Sequence, residues 1–331
     1  MKIIEPSVVY LDKVGKRPSE FIEFIGRTCY KSTDLITEDS SVKFFQNLID
    51  RKHYAMTEHY WIHLHFKDCG SDLFYVFIST FANMLKLGNY TDVLRYLMVT
   101  FTPKDRGVFV SMPLRVALEW KDRAEKLHIV SLPSMLEATL SYIYPDKYNN
   151  SSSLIEVLED DAFIEAMKNS FGEKNDLFNH EVTKHKTHTI LFVCDRGVSH
   201  ELVRHRPCSF AQESTRYCNY SKDKFGNEIT VIKPLFFGNG EYNKYGLWKT
   251  ACENAEDYYF ALLEKGATPQ EARSVLPNSL KTEIVVTANE VEWQHIVNLR
   301  YHGTTGAPHP QMKEVMSLAY EELIKAGANI E

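Results

Sequence analysis

The chain has 331 residues, of which 44% are hydrophobic and 25% charged. That composition excludes a disordered, collagenous or coiled-coil chain, and the length suits one large domain or two ordinary ones. Lysine and arginine total 38 against 44 aspartates and glutamates, a net charge of −6, whereas a protein that coats nucleic acid or an anionic membrane normally carries the opposite sign, so any anion site has to be local.

The start, Met1-Lys2-Ile3-Ile4-Glu5-Pro6, has no apolar signal core, and the apolar runs fall short of the roughly 20 residues that cross a bilayer. A cytoplasmic location is expected. Cys29, Cys69, Cys194, Cys208, Cys218 and Cys252 are scattered without a C-x-x-C pair, so reduced thiols are expected, with neither a disulfide framework nor a zinc knuckle.

Short apolar runs alternate with longer helical patterns, which points to a mixed α/β or α+β fold. Residues 19 to 31 and 41 to 52 read as capped amphipathic helices behind Pro18-Ser19 and Asp39-Ser40. Tyr60 to Phe66 alternates, with Ile62, Leu64 and Phe66 on one face, and reads as a strand. From Lys67 to Thr187 the pattern is less regular. A strand pair is expected at Arg95 to Phe101 and Gly107 to Ser111, with helices near 112 to 127 and 153 to 169 and a polar stretch, 149 to 153, between those helices. Thr189 to Cys194 then reads as a strand, Gly197 to Arg206 as a helix broken by Pro207, residues 229 to 235 as a strand, and 241 to 265 as a long helix. Thr268-Pro269-Gln270-Glu271 is a capping box closed by Pro277. Ser279 to Ala288 reads as a strand, Asn289 with Glu292 as the capped start of a helix to Arg300, and 307 to 325 as the last helix.

The densest constellation runs from Arg196 to Tyr217, where four arginines face two glutamates for a local charge of +2. Arg204-His205-Arg206 on a helix fan out at about 100° each, a spread suited to different anions or subunits. Arginine binds phosphate through a planar fork that stays charged, and the loop after it is rich in hydroxyl and amide groups. The plainer alternative is a solvated helix end, or arginines paired with Glu201 and Glu213. Arg300 follows Trp293 by seven residues and shares its apolar helix face, so it either finds a partner or complements the helix dipole past Gly303. Arg273 poses the same question. His63 with His65, and His185 with His188, have no matching Cys or carboxylate set and there is no H-E-x-x-H, so no metal site is expected. No G-x-G-x-x-G or Walker loop occurs.

Arg204-His205-Arg206, seven residues, then Ser214 resembles the signature of the flavin-dependent thymidylate synthases (the ThyX family). The resemblance extends in order through 27 to 32, His53, Glu58-His59, Ser209, Gln212, Arg216-Tyr217, Arg273, Leu276-Pro277, Asn289, Leu299-Arg300 and His309-Pro310. It covers residues 1 to 66 and 188 to 331 as one synthase domain and leaves 67 to 187 as an inserted or expanded subdomain. The fold it implies is α+β, an antiparallel-rich sheet with flanking helices. It further implies a homotetramer holding FAD and dUMP between subunits, with methylenetetrahydrofolate and NAD(P)H, NADPH among them, as co-substrates in dTMP biosynthesis. On that resemblance Arg300 and His53 are catalytic. Glu201, Arg204, Gln212, Ser214, Arg216, Arg273 and Arg300 bind dUMP, and His53, Arg204, His205, Arg206, Asn289 and His295 bind FAD. Arg300 then meets the uracil ring and stabilises its developing negative charge.

The sequence departs from the family pattern at Glu201, where Gln is frequent, at Val291, where Arg is common, at His295, where Asn contacts flavin, and in the long 67 to 187 segment. Three other readings compete: a cysteine-dependent synthase imitated by Pro207-Cys208, a nucleic-acid-binding module, and a catalytically altered flavin- and nucleotide-binding homologue. The net acidity opposes the second, and Arg273 with Arg300 opposes the third.

Overall fold

The computed structural model describes residues 1–13, 16–102, 104–150, 152–172, 176–222, 225–237 and 242–331. Residue 241, the expected start of the long helix, and Ser151 of the polar stretch lie outside them. In chain order the elements are β1 (Lys2–Ile4), β2 (Ser7–Tyr10), α1 (Pro18–Tyr30), α2 (Ser40–Asp50), β3 (Trp61–Phe66), α3 (Gly70–Met84), α4 (Tyr90–Leu94), β4 (Met98–Phe101), β5 (Val108–Pro113), α5 (Leu114–Lys126) and α6 (Ser134–Ile143). There follow β6 (Ile155–Leu158), α7 (Asp160–Phe171), α8 (Asp176–His185), β7 (Thr187–Asp195), α9 (Arg196–Leu202), β8 (Ser209–Gln212), β9 (Thr230–Ile232), α10 (Tyr242–Glu264), α11 (Pro269–Ala272), β10 (Lys281–Asn289), α12 (Glu290–Val297) and α13 (Pro310–Lys325). This is a mixed α+β chain whose larger sheets are rich in antiparallel pairs. No helix among the described residues is long and apolar enough to cross a membrane.

The chain forms two compact units. The first comprises Met1–Asp12, Glu23–Ser41 and His188–Glu331. Its sheet has the order β2-β7-β10-β8, with β2 antiparallel to β7 and β10 antiparallel to β8. Ile190, Phe192 and Cys194 on β7 and Ile284, Val286 and Ala288 on β10 recur at every second residue and are all buried. Strand alternation puts each set on one face. That face packs on Trp293, Ile296 and Val297 of α12 and Met312, Val315, Met316 and Ala319 of α13. Trp293 Nε1 also donates to the His188 carbonyl at 3.0 Å, which fixes α12 over the sheet. A smaller core gathers Ile229, Val231, Cys252 and Tyr259 between β9 and α10.

The second unit comprises Lys13–Ile22 and Val42–Thr187. Its antiparallel sheet has the order β4-β5-β3-β6. The boundary differs from the expected one: residues 13 to 22 and 42 to 66 belong here and not with the first unit. The reason is pairing, because β3 lies against β5 on one side and β6 on the other, both supplied by the 67 to 187 segment. As a central strand β3 is buried on both faces, so Trp61 and His63 are as covered as Ile62 and Leu64. The expected 153 to 169 helix is divided: Ile155–Leu158 is β6 and the helix begins at Asp160.

Candidate active site

The helix expected from Gly197 to Arg206 stops at Leu202. Pro207 disfavours helical geometry at Arg206, and its ring would crowd the carbonyl four residues back. Arg204, His205 and Arg206 therefore stand in the turn beyond α9, not around a helix, and are separated by the local path of the turn. Arg204 and Arg206 are exposed and form no ion pair among the described residues, while His205 points inward and is buried. The polar stretch that follows begins as a strand, β8, which pairs Gln212 with Ile284 and Ser209 with Thr287.

Arg300 lies just past α12, in a π-helical turn, Asn298–His302, that ends on Gly303 at φ 73°. The turn brings the guanidinium back over α9. Nη1 donates to Glu201 Oε2 at 2.8 Å, Nη2 to the Glu201 carbonyl at 3.4 Å, and Nε to His205 Nε2 at 3.1 Å. An arginine Nε–H only donates, so His205 Nε2 accepts and the ring of a neutral His205 carries its proton on Nδ1. That nitrogen is 3.7 Å from Glu292 Oε1, and the His295 ring stands edge-on to His205 at 6.0 Å. His205, Glu292 and His295 offer ligand atoms within 4.8 Å of one another. With Nε2 occupied by Arg300, however, His205 presents to that group an N–H and not the lone pair a metal needs. The Glu292 oxygen is buried without a hydrogen bond among the described residues. Sequence reading did not single out Glu292 as a site residue, because its spacing from Asn289 marks it as the third residue of a capped helix. It is that as well: Asn289 Oδ1 accepts from the Glu292 amide at 3.0 Å.

A second set surrounds the start of the loop after β8. The Ser214 amide donates to the Cys29 carbonyl at 3.1 Å, and the Arg216 amide to Ser214 Oγ at 3.4 Å. Arg273 Nη1 donates to Thr215 Oγ1 at 3.2 Å, so the arginine before Pro277 does reach this loop. Gln212 Nε2 donates to Ser199 Oγ at 2.8 Å and Thr282 Oγ1 at 3.2 Å, tying β8 to α9 and β10. Neither glutamate of the stretch pairs with its arginines. Glu201 takes Arg300, and buried Glu213 takes Lys281 at 2.8 Å. Burial, with Glu292 adding to it, pushes the Cys208 thiol far above its ordinary value, a poor setting for a nucleophilic thiolate. His53 belongs to the second unit, exposed where the 3₁₀ turn Tyr54–His59 begins.

Residues 177–326 match the family model described as thymidylate synthase complementing protein. The flavin-dependent thymidylate synthase of Geobacter sulfurreducens is 36% identical over 105 residues, covering 32% of this chain and 43% of that protein. That of Sulfolobus acidocaldarius is 39% identical over 105 residues, covering 32% and 38%. The chain thus spans less than half the length of these curated relatives. Among solved structures, a UMP/dUMP methylase from Streptomyces cacaoi bound with 5-Br dUMP shares 21% identity, covers 52% of this chain and 78% of its own, and has a TM-score of 0.37, too slight a likeness to carry an argument. Over residues 177–326 the chain is thus similar to the flavin-dependent thymidylate synthases.

Proposed function

We propose that the chain converts dUMP to dTMP, taking the carbon from methylenetetrahydrofolate and the hydride from NADPH or NADH through FAD. The observation that carries this reading is the 3.1 Å contact between Arg300 and His205, 95 residues apart in the chain. It puts the signature histidine and the arginine expected to face the pyrimidine in one place. Arg300 holds its fork toward the uracil ring and stabilises the charge that develops as C5 attacks the methylene carbon, and Glu201 sets the direction of that fork. Ser214, Arg216 and Arg273 hold the dUMP phosphate, with Arg204 and Gln212 beside them.

The donor set suits a flavin dinucleotide. Arg204 and Arg206, exposed and without an ion pair among the described residues, can meet its phosphates, His205 offers Nδ1–H, and the Glu292 oxygen, which takes no hydrogen bond among the described residues, can accept an N–H of the flavin ring. Asn289 and His295 complete this set. When bound, FAD supplies the hydride transfer that no side chain can perform. The exposed arginines favour sites shared between subunits of a homotetramer, the net charge of −6 opposes nucleic acid or membrane as partner, and a cytoplasmic location goes with this reading.

The test is the visible spectrum of the purified protein, followed by tritium release from 5-labelled dUMP with methylenetetrahydrofolate and NADPH. Yellow protein and tritium release are expected. A protein that stays colourless after reconstitution with FAD contradicts the reading. Yellow protein that binds dUMP without releasing tritium establishes the altered homologue instead. The same spectrum on His53→Ala tests the assignment of His53 to flavin.

A further inference from the structure

Six side chains of the second unit form one unbroken run of polar contacts through its interior. Asp160 Oδ1 stands 3.2 Å from His63 Nε2, and His63 Nδ1 stands 2.7 Å from Ser111 Oγ. The same Oγ is 2.7 Å from His185 Nδ1, His185 Nε2 is 3.0 Å from Thr100 Oγ1, and Thr100 Oγ1 is 2.7 Å from Glu181 Oε2. The four inner residues are buried. The fold aligns them: His63 and Ser111 are opposite each other on β3 and β5, Thr100 sits on β4, Glu181 and His185 are one turn apart on α8, and Asp160 opens α7.

Each contact needs one proton between its two heavy atoms. The two ends bring none, because both carboxylates are held ionised. Burial works against Asp160, but hydrogen bonding from His63 and the charge of Lys13, 2.9 Å away, outweigh it and keep the carboxyl far below its usual range. Glu181 is likewise lowered, burial being overcome by Lys184 and Thr100. Each hydroxyl and each neutral imidazole brings one proton, so four inner groups bring four protons to five contacts. Thr100 has to donate to Glu181, and His63 Nε2 to Asp160. The protons of Ser111 and His185 then have three contacts to fill. However they are arranged, two lone pairs face each other across one of those contacts.

We propose that the second unit is built to take up one proton, held in common by His63 and His185 across Ser111, and that mild acidification thereby completes the run. Ser111 makes the proton common to both rings. With His63 doubly protonated the hydroxyl donates to His185, and with His185 doubly protonated it donates to His63. The charges facing the pair are Asp160, Glu159 and Lys13 around His63, and Glu181 and Lys184 around His185, with the Phe163 ring against both. Burial pulls both rings below the ordinary histidine value, His185 to about 3. Relief of a buried mismatch acts the other way, by about one or two pH units. Asp160 is the outlet, lining a cavity of about 430 Å³ with Lys13, Tyr60, Tyr142 and Glu159. The proposal is independent of the activity inferred for the first unit.

The test is histidine side-chain ¹⁵N NMR on the whole protein from pH 8 to pH 4, with His63→Gln and His185→Gln used for assignment. The pair is expected to take up a single proton with its midpoint above about pH 4 and on the acid side of free histidine. Glu181→Gln adds the missing proton through its amide. Thr100→Val deletes two contacts and one proton, leaving three of each, and keeps every charge. Both should lower the midpoint by roughly one pH unit or more, a tenfold weaker proton affinity. Rings that stay neutral to pH 4, rings that take up two protons independently, or a Thr100→Val midpoint equal to that of the parent chain overturn the proposal.

Discussion

Arg300 Nη1 donates to Glu201 Oε2 at 2.8 Å, so the guanidinium expected to meet a pyrimidine already has its direction set by a carboxylate 99 residues earlier. Both side chains are partly exposed, at 22% and 33%, and the pair adds little stability in that setting. Its effect is orientation. Arg300→Ala is expected to lower turnover by about 10² to 10³, the scale for removing a donor aimed at developing charge. Arg300→Lys should recover little, since a point charge cannot hold Glu201, His205 and a substrate edge together. Near-normal single-turnover rates in Arg300→Ala would reduce the residue to a helix-end cation.

Arg206 and Arg300 are expected to fail differently. Arg206 is exposed and forms no ion pair among the described residues, and its proposed partner is the flavin. Arg206→Ala should be purified colourless, or lose its visible absorbance on dilution, with the melting temperature hardly changed. Arg300→Ala should stay yellow. Absorbance spectra of the two variants at equal protein concentration separate these outcomes, and a yellow, fully loaded Arg206→Ala removes the arginine from the flavin site.

The features that could be read along the chain are those fixed by neighbours in sequence. Asn289 caps α12 and Thr268 with Glu271 forms a capping box, as the residue types three apart require. The end of α9 was legible too early a step: Pro207 marked a stop, but its effect reaches back to Leu202, so the Arg204 to Arg206 triplet leaves the helix. What could not be read are relations between distant segments. His63 looks paired with His65 on one strand, and His185 with His188, yet the sheet puts His63 and His185 on one serine. The place of β3 was hidden for the same reason. Alternation announces a strand, whereas the partners that decide its sheet, β5 and β6, come from a segment with weaker periodicity.

Cys208 follows a proline, as the nucleophile of a cysteine-dependent synthase does, but burial raises its thiol far out of the reactive range. A flavin route needs no thiolate attack on the pyrimidine. Cys208→Ala should therefore retain a sizeable fraction of tritium release and all of its flavin. Complete loss of turnover in folded, yellow protein would favour the cysteine route.

Asp195 caps α9, its Oδ1 accepting from the Val198 amide at 2.8 Å, while Oδ2 accepts from Gln311 Nε2 at 2.8 Å. Burial nevertheless raises its carboxyl above the usual value, outweighing the amides of Val198 and Gly197 that stabilise the anion. The sign follows from linkage. A raised folded value means that the folded state binds this proton more tightly than the unfolded chain, whose value is about 3.9. Stability contributed by the protonated form is lost as pH rises through the folded value, and the cost of the anion is fully present at pH 7. Asparagine caps a helix as well as aspartate, and the Gln311 amide can turn over to accept from it. Asp195→Asn should thus melt higher than the parent chain at pH 7, by roughly 1–3 °C, and this advantage should shrink as the pH approaches 4. Paired calorimetric scans at pH 7 and pH 4.5 decide the point. A variant that melts lower at pH 7, with the deficit closing in acid, would mean that the amide bonds outweigh burial and that Asp195 prefers its charged form.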